Sequence, residues 1–424
     1  MNAAMDCTAT PISQRTQAYC DLYEQAVTEA AFLWLLRSIK VEQPQPTLAV
    51  IAELDARIQD ELDGLMTSPL GWKYCETALS LGEPGEQFTA TVVALRSQET
   101  RRVQTAVETG LSNPRSTPGL ISALGWLPPD LVQPWIGRFL HGKDLNHKFL
   151  GVAACGVRRE DPGELLTDIL RREDCQKHIP LHARALRLIG ECRRGDLLPA
   201  LHTATASQEP SLVFWANWST ILLGQHAAVK NLQPLVFNGG PLQTRAIQLV
   251  FRALPIEPAR EWISTLAKDP ANARAVITAT EALGDPHAVS WLIGKMADPL
   301  LARLAAEAFT FITGVDLIKH QLHKDPHPVV APIPNDDADD AQVGLDEDEN
   351  LPWPDVEKIA ALWGNHGANF KAGQRYFLGK PIAPDWLKHK IAEGTMRQRH
   401  AAALELALID PSSRLINTRA KAMS

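Results

Sequence analysis

Apolar residues recur along this chain at three- and four-residue steps, the spacing of one face of a helix. Examples are Leu181, Ala185, Leu188 and Ile189, then Leu197, Leu198 and Leu201. The two-residue alternation of a strand is almost absent. Through the middle of the chain one phrase returns: an apolar stretch ending in Leu-Gly or Ile-Gly, a polar turn, and a second apolar stretch. LGWLPPDLVQPWI, IGECRRGDLLPAL, LGQHAAVKNLQPL and LGDPHAVSWLIGKM are instances. Taking Gly125, Gly156, Gly190, Gly224, Leu254, Gly284 and Gly314 as markers, the intervals are 31, 34, 34, 30, 30 and 30 residues, one helical pair each. A glycine past a helix end relieves the left-handed cap, and Asp285-Pro286 offers an N-cap followed by proline at the first helical position. One such pair cannot bury its apolar face, whereas stacked pairs can. The expected fold is an all-α, HEAT-like α-solenoid with an N-terminal helical cap and a small C-terminal helical part.

The repeats occupy 117–317, and 1–116 is the cap, with helices expected near Asp21 to Val41, Thr47 to Met66 and Gly85 to Ser112. Residues 318–354 are proline-rich and acidic and read as a loop or linker, because such a composition cannot bury a core. The C-terminal part, 355–424, carries helices near Asp355 to Asn369 and Thr395 to Leu408, with RYFLGKPI between them as an extended segment.

The formal net charge of −7 is concentrated. Asp336, Asp337, Asp339, Asp340, Asp346, Glu347, Asp348 and Glu349 fall within 14 residues that hold no Lys or Arg, and without them the chain stands at +1. From Lys371 to Lys421 the local balance is +6. A balance of +6 over 51 residues is a weak basic patch, so no direct nucleic-acid partner is expected. No run approaches the length of a membrane span, and Ala30 to Leu36, bounded by Glu29 and Arg37, does not have the flanks of a signal peptide. A cytoplasmic protein without a membrane partner is expected. Six cysteines without C-x-x-C spacing fit a reducing compartment and read as idle thiols.

Sites for small-molecule chemistry are scarce. His320, His323 and His327 are close in sequence, but Pro326 and Pro328 break the helix that would align them, and Pro180 separates His178 from His182. The chain has no His-Glu dipeptide, no G-x-S-x-G elbow and no phosphate-binding glycine loop. No cofactor, metal or catalytic residue is expected. Of the eleven tryptophans, most are expected between repeats, as with Trp215 and Trp218 on one helix. Trp353, just after the acidic run, is a candidate partner anchor together with the eight carboxylates, which suit a positively charged partner.

EAAFLWLLRS (29–38), LDGLMTSPLGWKYCETAL (62–79), ARLAAEAFTFITGVDL (302–317), LPWPD (351–355) and RQRHAAALELALIDP (397–411) together resemble a bacterial family of HEAT-like proteins associated with type VI secretion loci. The resemblance spans both ends of the chain. It implies an immunity protein that binds and neutralises a cognate secreted toxin, plausibly a nuclease, by protein-protein interaction. The alternatives are an effector chaperone or adaptor for the same secretion machinery, and a HEAT-like enzyme of the bilin lyase or hydroxylase type.

Overall fold

A computed structural model describes residues 11–325 and 348–422, with the side chains of 11–20 left aside. The chain is all-α: twenty-two α-helices and two minimal two-residue strand pairs among the described residues. It divides into two compact units, one comprising 1–42, 46–185 and 419–424 and the other 43–45 and 186–418. The division falls inside the repeat region, whereas the sequence boundaries were set at 116/117, 317/318 and 354/355. No described helix is long and apolar enough to cross a membrane.

The first unit holds α1 (Pro11–Lys40), α2 (Leu48–Leu65), α3 (Leu70–Ala78), α4 (Pro84–Ser97), α5 (Thr100–Ser112), α6 (Thr117–Trp126), α7 (Pro129–His141), α8 (Leu145–Arg158), α9 (Glu164–Arg171), α10 (Glu173–Lys177) and the start of α11 (Ile179–Cys192). Its central element is α4, buried from Gly85 through Leu95 and packed on α1, α3, α5 and α6. A helix covered on every side must satisfy its polar groups internally. The Gln87 amide nitrogen does so, donating to Thr91 Oγ1 at 2.9 Å and to the Ala106 carbonyl at 2.8 Å, while its Oε1 is buried without a hydrogen-bond partner among the described residues. Phe88 lies between Trp34 and Trp126, ring centroids 5.5 and 5.3 Å away.

The second unit holds the end of α11, then α12 (Leu198–Ala204), α13 (Pro210–Leu222), α14 (Gln233–Phe237), α15 (Gln243–Ala253), α16 (Ile256–Leu266), α17 (Ala273–Leu283), α18 (Val289–Lys295), α19 (Ala302–Thr313), α20 (Val356–His366), α21 (Pro384–Glu393) and α22 (Met396–Ile409). Here α13, α15, α17 and α19 pack side by side as one row, while α14, α16 and α18 each pack on the next row helix, the arrangement of a helical-repeat solenoid.

The marker glycines divide into two kinds. Gly284 and Gly314 are left-handed C-caps of α17 and α19, with φ of 70° and 71°, as the sequence leads one to expect. Gly125, Gly156 and Gly190 lie within α6, α8 and α11 instead, and at Gly125 and Gly190 a side chain would press on a neighbouring helix. A Cβ on Gly190 would sit 2.7 Å from Ser219 Oγ. Asp285 caps the following turn as expected, accepting from the His287 backbone amide.

RYFLGKPI forms a hairpin, β3 (Tyr376–Phe377) with β4 (Lys380–Pro381), turning at Leu378 and Gly379, both with positive φ. Its backbone lies on the carbonyl ends of the row. Tyr376 N donates to Gly284 O at 2.7 Å, Leu378 N to Phe311 O at 2.6 Å and Gly379 N to Ile312 O at 3.1 Å. Arg375 continues the pattern by donating to Arg252 O, Ala282 O and Leu283 O, and to the buried Glu405 carboxylate at 2.8 Å.

Three elements depart from the sequence reading. The single helix expected from Gly85 to Ser112 is two, broken at Gln98, whose φ of 57° ends α4. The short helices α3 and α21 were not foreseen. Of the expected linker, 326–347 lies outside the described residues. Its flanks meet as β1 (His323–Lys324) paired antiparallel with β2 (Trp353–Pro354), and Asp355 N donates to Leu322 O at 2.8 Å.

Gly284→Ala should destabilise the chain by at least about 2 kcal/mol, since an L side chain resists that backbone conformation and its Cβ would stand 2.3 Å from Tyr376 O. Gly137→Ala, inside α7 with nothing within 4 Å of its Cβ position, should stabilise it by roughly 0.5–1 kcal/mol. Denaturant unfolding of the two variants should move in opposite directions.

Candidate functional site

The repeat period sets one position in register along the second unit. Arg187, Trp215, Arg245, Arg274 and Arg303 stand on α11, α13, α15, α17 and α19 at intervals of 28, 30, 29 and 29 residues. The Arg187 guanidinium lies 4.5 Å from the Trp215 ring centroid and Arg245 lies 6.0 Å from it on the next row helix, cation–π distances that hold the cations over an aromatic face. Trp215 packs edge-on to Trp218, 5.4 Å away. Arg245 is exposed, while Arg187, Trp215 and Arg274 are half-buried.

Beside the row sits a buried charge network. Glu307 on α19 accepts from Arg397 on α22 at 2.7 Å, and Glu281 on α17 is hydrogen-bonded by Gln248 on α15. Arg252 donates to Gln248 O at 2.8 Å and lies 3.6 Å from Glu405, which Arg375 also holds. Burial is the main cause that pushes the Glu307 carboxyl up to about 7. The neighbouring Glu281 charge adds to it, and Arg397 opposes it. Glu281 is raised as well, by burial first, against the pull of Arg252 and Arg397. Two carboxylates on adjacent helices thus compete for few cations, and Glu307 is poised to hold a proton near neutrality.

Of the nine residues the sequence nominates for a partner, Asp336, Asp337, Asp339, Asp340, Asp346 and Glu347 lie outside the described residues. Asp348 is buried, its two oxygens accepting from Arg274 at 2.8 and 3.0 Å. Trp353, half-buried in β2, has the Arg303 guanidinium 4.7 Å from its ring centroid. Glu349 is exposed. The structure therefore brings Asp348 and Trp353 onto consecutive arginines of the row. Sequence reasoning found the carboxylates and missed the arginines that hold the first described one. The signal was present as an arginine recurring every 29 residues.

His320 and His323 are exposed, and His327 lies outside the described residues. Among the described residues no group of three or more His, Cys, Asp or Glu is placed to hold a metal ion. Cys75, Cys155, Cys175 and Cys192 are buried, and burial pushes the Cys75 thiol up to about 12, far from a reactive thiolate. Comparison of the chain with protein-family models, with curated proteins and with solved structures yields no match.

Because the folded-state pKa of Glu307 is raised, the folded form retains a proton that the unfolded chain has already lost. Its contribution to stability is therefore present below the ordinary carboxylate range near 4.5 and is lost as pH rises toward about 7. Glu307→Gln should remove that dependence. Relative to wild type, the variant should gain on the order of 1–3 kcal/mol between pH 5 and pH 8, read from denaturant unfolding at both pH values.

Proposed function

We propose that this chain is an immunity protein, a scaffold that binds and neutralises a cognate secreted toxin through the face of its second unit where the acidic segment meets the arginine row. One observation carries the reading: Asp348 on Arg274 and Trp353 on Arg303 anchor the end of a carboxylate-rich segment to a repeat scaffold. A nuclease toxin must present cations to phosphate, and carboxylates concentrated in one segment complement such a surface and raise the rate of encounter. The type VI assignment rests on the resemblance in EAAFLWLLRS, LPWPD and the related stretches.

The experiment is co-expression with the product of the adjacent gene. An immunity protein restores growth and co-purifies with that product. A complex that leaves the product toxic identifies an effector adaptor instead. Replacing Asp336, Asp337, Asp339, Asp340, Asp346, Glu347 and Glu349 by Asn or Gln, while leaving Asp348 to hold Arg274, should slow association about tenfold or more at low ionic strength and much less at high salt. The melting temperature should stay that of wild type. An unchanged association rate would remove the segment from the interface.

A further inference from the structure

The first unit contains a second built site, independent of the immunity reading. At its centre Arg37 of α1 and Asp55 of α2 form a buried ion pair, 6% and 2% exposed. Each keeps hydrogen-bonding capacity directed at a short segment, Arg419–Ala422, that packs within the same unit. Arg37 donates to the Arg419 carbonyl at 3.2 Å and to the Ala420 carbonyl at 2.9 Å, and Asp55 accepts from the Ala422 amide at 2.7 Å. Three of the recognised atoms are therefore backbone.

Two side chains are read as well. Glu42 takes the Arg419 guanidinium in a two-point fork at 2.5 and 2.9 Å. Lys421 donates to Gln59 at 2.7 Å and stands 4.5 Å from the Trp126 ring centroid, over an indole that Arg37 also approaches at 5.7 Å. Burial lowers the pKa of Lys421, while Asp55 and Asp63 oppose that shift.

We infer that this cleft is a recognition site for a linear basic peptide with Arg and Lys two positions apart, and that Arg419–Lys421 is its resident occupant. Without an occupant Arg37 Nη1 would lose its acceptor, and Asp55 Oδ2 would keep only the long 3.4 Å contact from Arg37 Nη2 in a largely buried place, which is costly. The contacts are to groups that any chain of that pattern carries, and none depends on covalent linkage to the occupant. The Arg419–Glu42 fork is half exposed on both sides, 52% and 57%, so this rim contact is weak and open to exchange. A resident segment acts at an effective concentration on the order of millimolar, so a free peptide competes visibly only when the resident's grip is loosened.

The test uses the full chain and a fluorescent peptide, acetyl-Asn-Thr-Arg-Ala-Lys-Ala-amide. Binding is read by anisotropy to wild type and to the double variant Arg419→Ala/Lys421→Ala. The double variant should bind at least about tenfold more tightly than wild type, and adding Glu42→Ala and Gln59→Ala should abolish the gain. A peptide with Arg and Lys made adjacent should not bind. A folded double variant that ignores the peptide, or takes both peptides equally, overturns the inference. Should the double variant lose helical content, hydrogen exchange on the single variant Arg419→Ala, whose rim contact alone is loosened, decides. Excess peptide should speed exchange of the Ala422 amide, and no change refutes recognition in trans.

Discussion

Every helix in a stacked row ends in carbonyl groups that have no partner within the helix, and where neighbours exclude water those carbonyls need donors from elsewhere in the chain. In this protein a few arginines and one hairpin meet that need. Arg158 donates to Leu124 O and Leu127 O at the end of α6. Arg193 donates to Leu222 O at the end of α13 and also to Ala407 O and Asp410 O at the end of α22. Arg375 serves α15 and α17 together, and the hairpin amides serve α17 and α19. A long, forked, permanently charged side chain suits the task, since one guanidinium reaches carbonyls on two elements at once.

That solution governs where the remaining charges go. A cation held among carbonyls still needs a counter-ion, and Glu405, 1% exposed, supplies it to Arg375 and Arg252. Glu281 and Glu307 lie next in line with Arg397 shared between them; burial raises the pKa of both, and the Glu281 charge adds to the rise at Glu307. The candidate face is thus continuous in its electrostatics with the device that closes the row.

Much of this was legible in the sequence, and the limits are instructive. Gly284, Gly314 and Asp285-Pro286 act as the caps their residue types announce, and α20 and α22 fall close to where the apolar spacing put them. Gly125 and Gly190 carry the same letter for another reason, close helix approach, which no local pattern distinguishes from a cap. The break at Gln98 is silent, because a non-glycine in the left-handed region carries no marker. Short α3 and α21 offer too few turns for periodicity to register. In the candidate site the carboxylates were visible as a run, whereas Asp348 finds Arg274 across 74 residues of chain, a pairing only the stacked helices create.

The small antiparallel pair of β1 with β2 sets the terms on which the acidic segment can evolve. His323 faces Pro354 and Lys324 faces Trp353, so both flanks of the segment are fixed side by side. Closing a chain segment between two fixed ends costs only about 0.6 kcal/mol more for each doubling of its length. Insertions, deletions and changes of charge between those flanks are therefore cheap for folding, while the row beneath remains constrained by its caps.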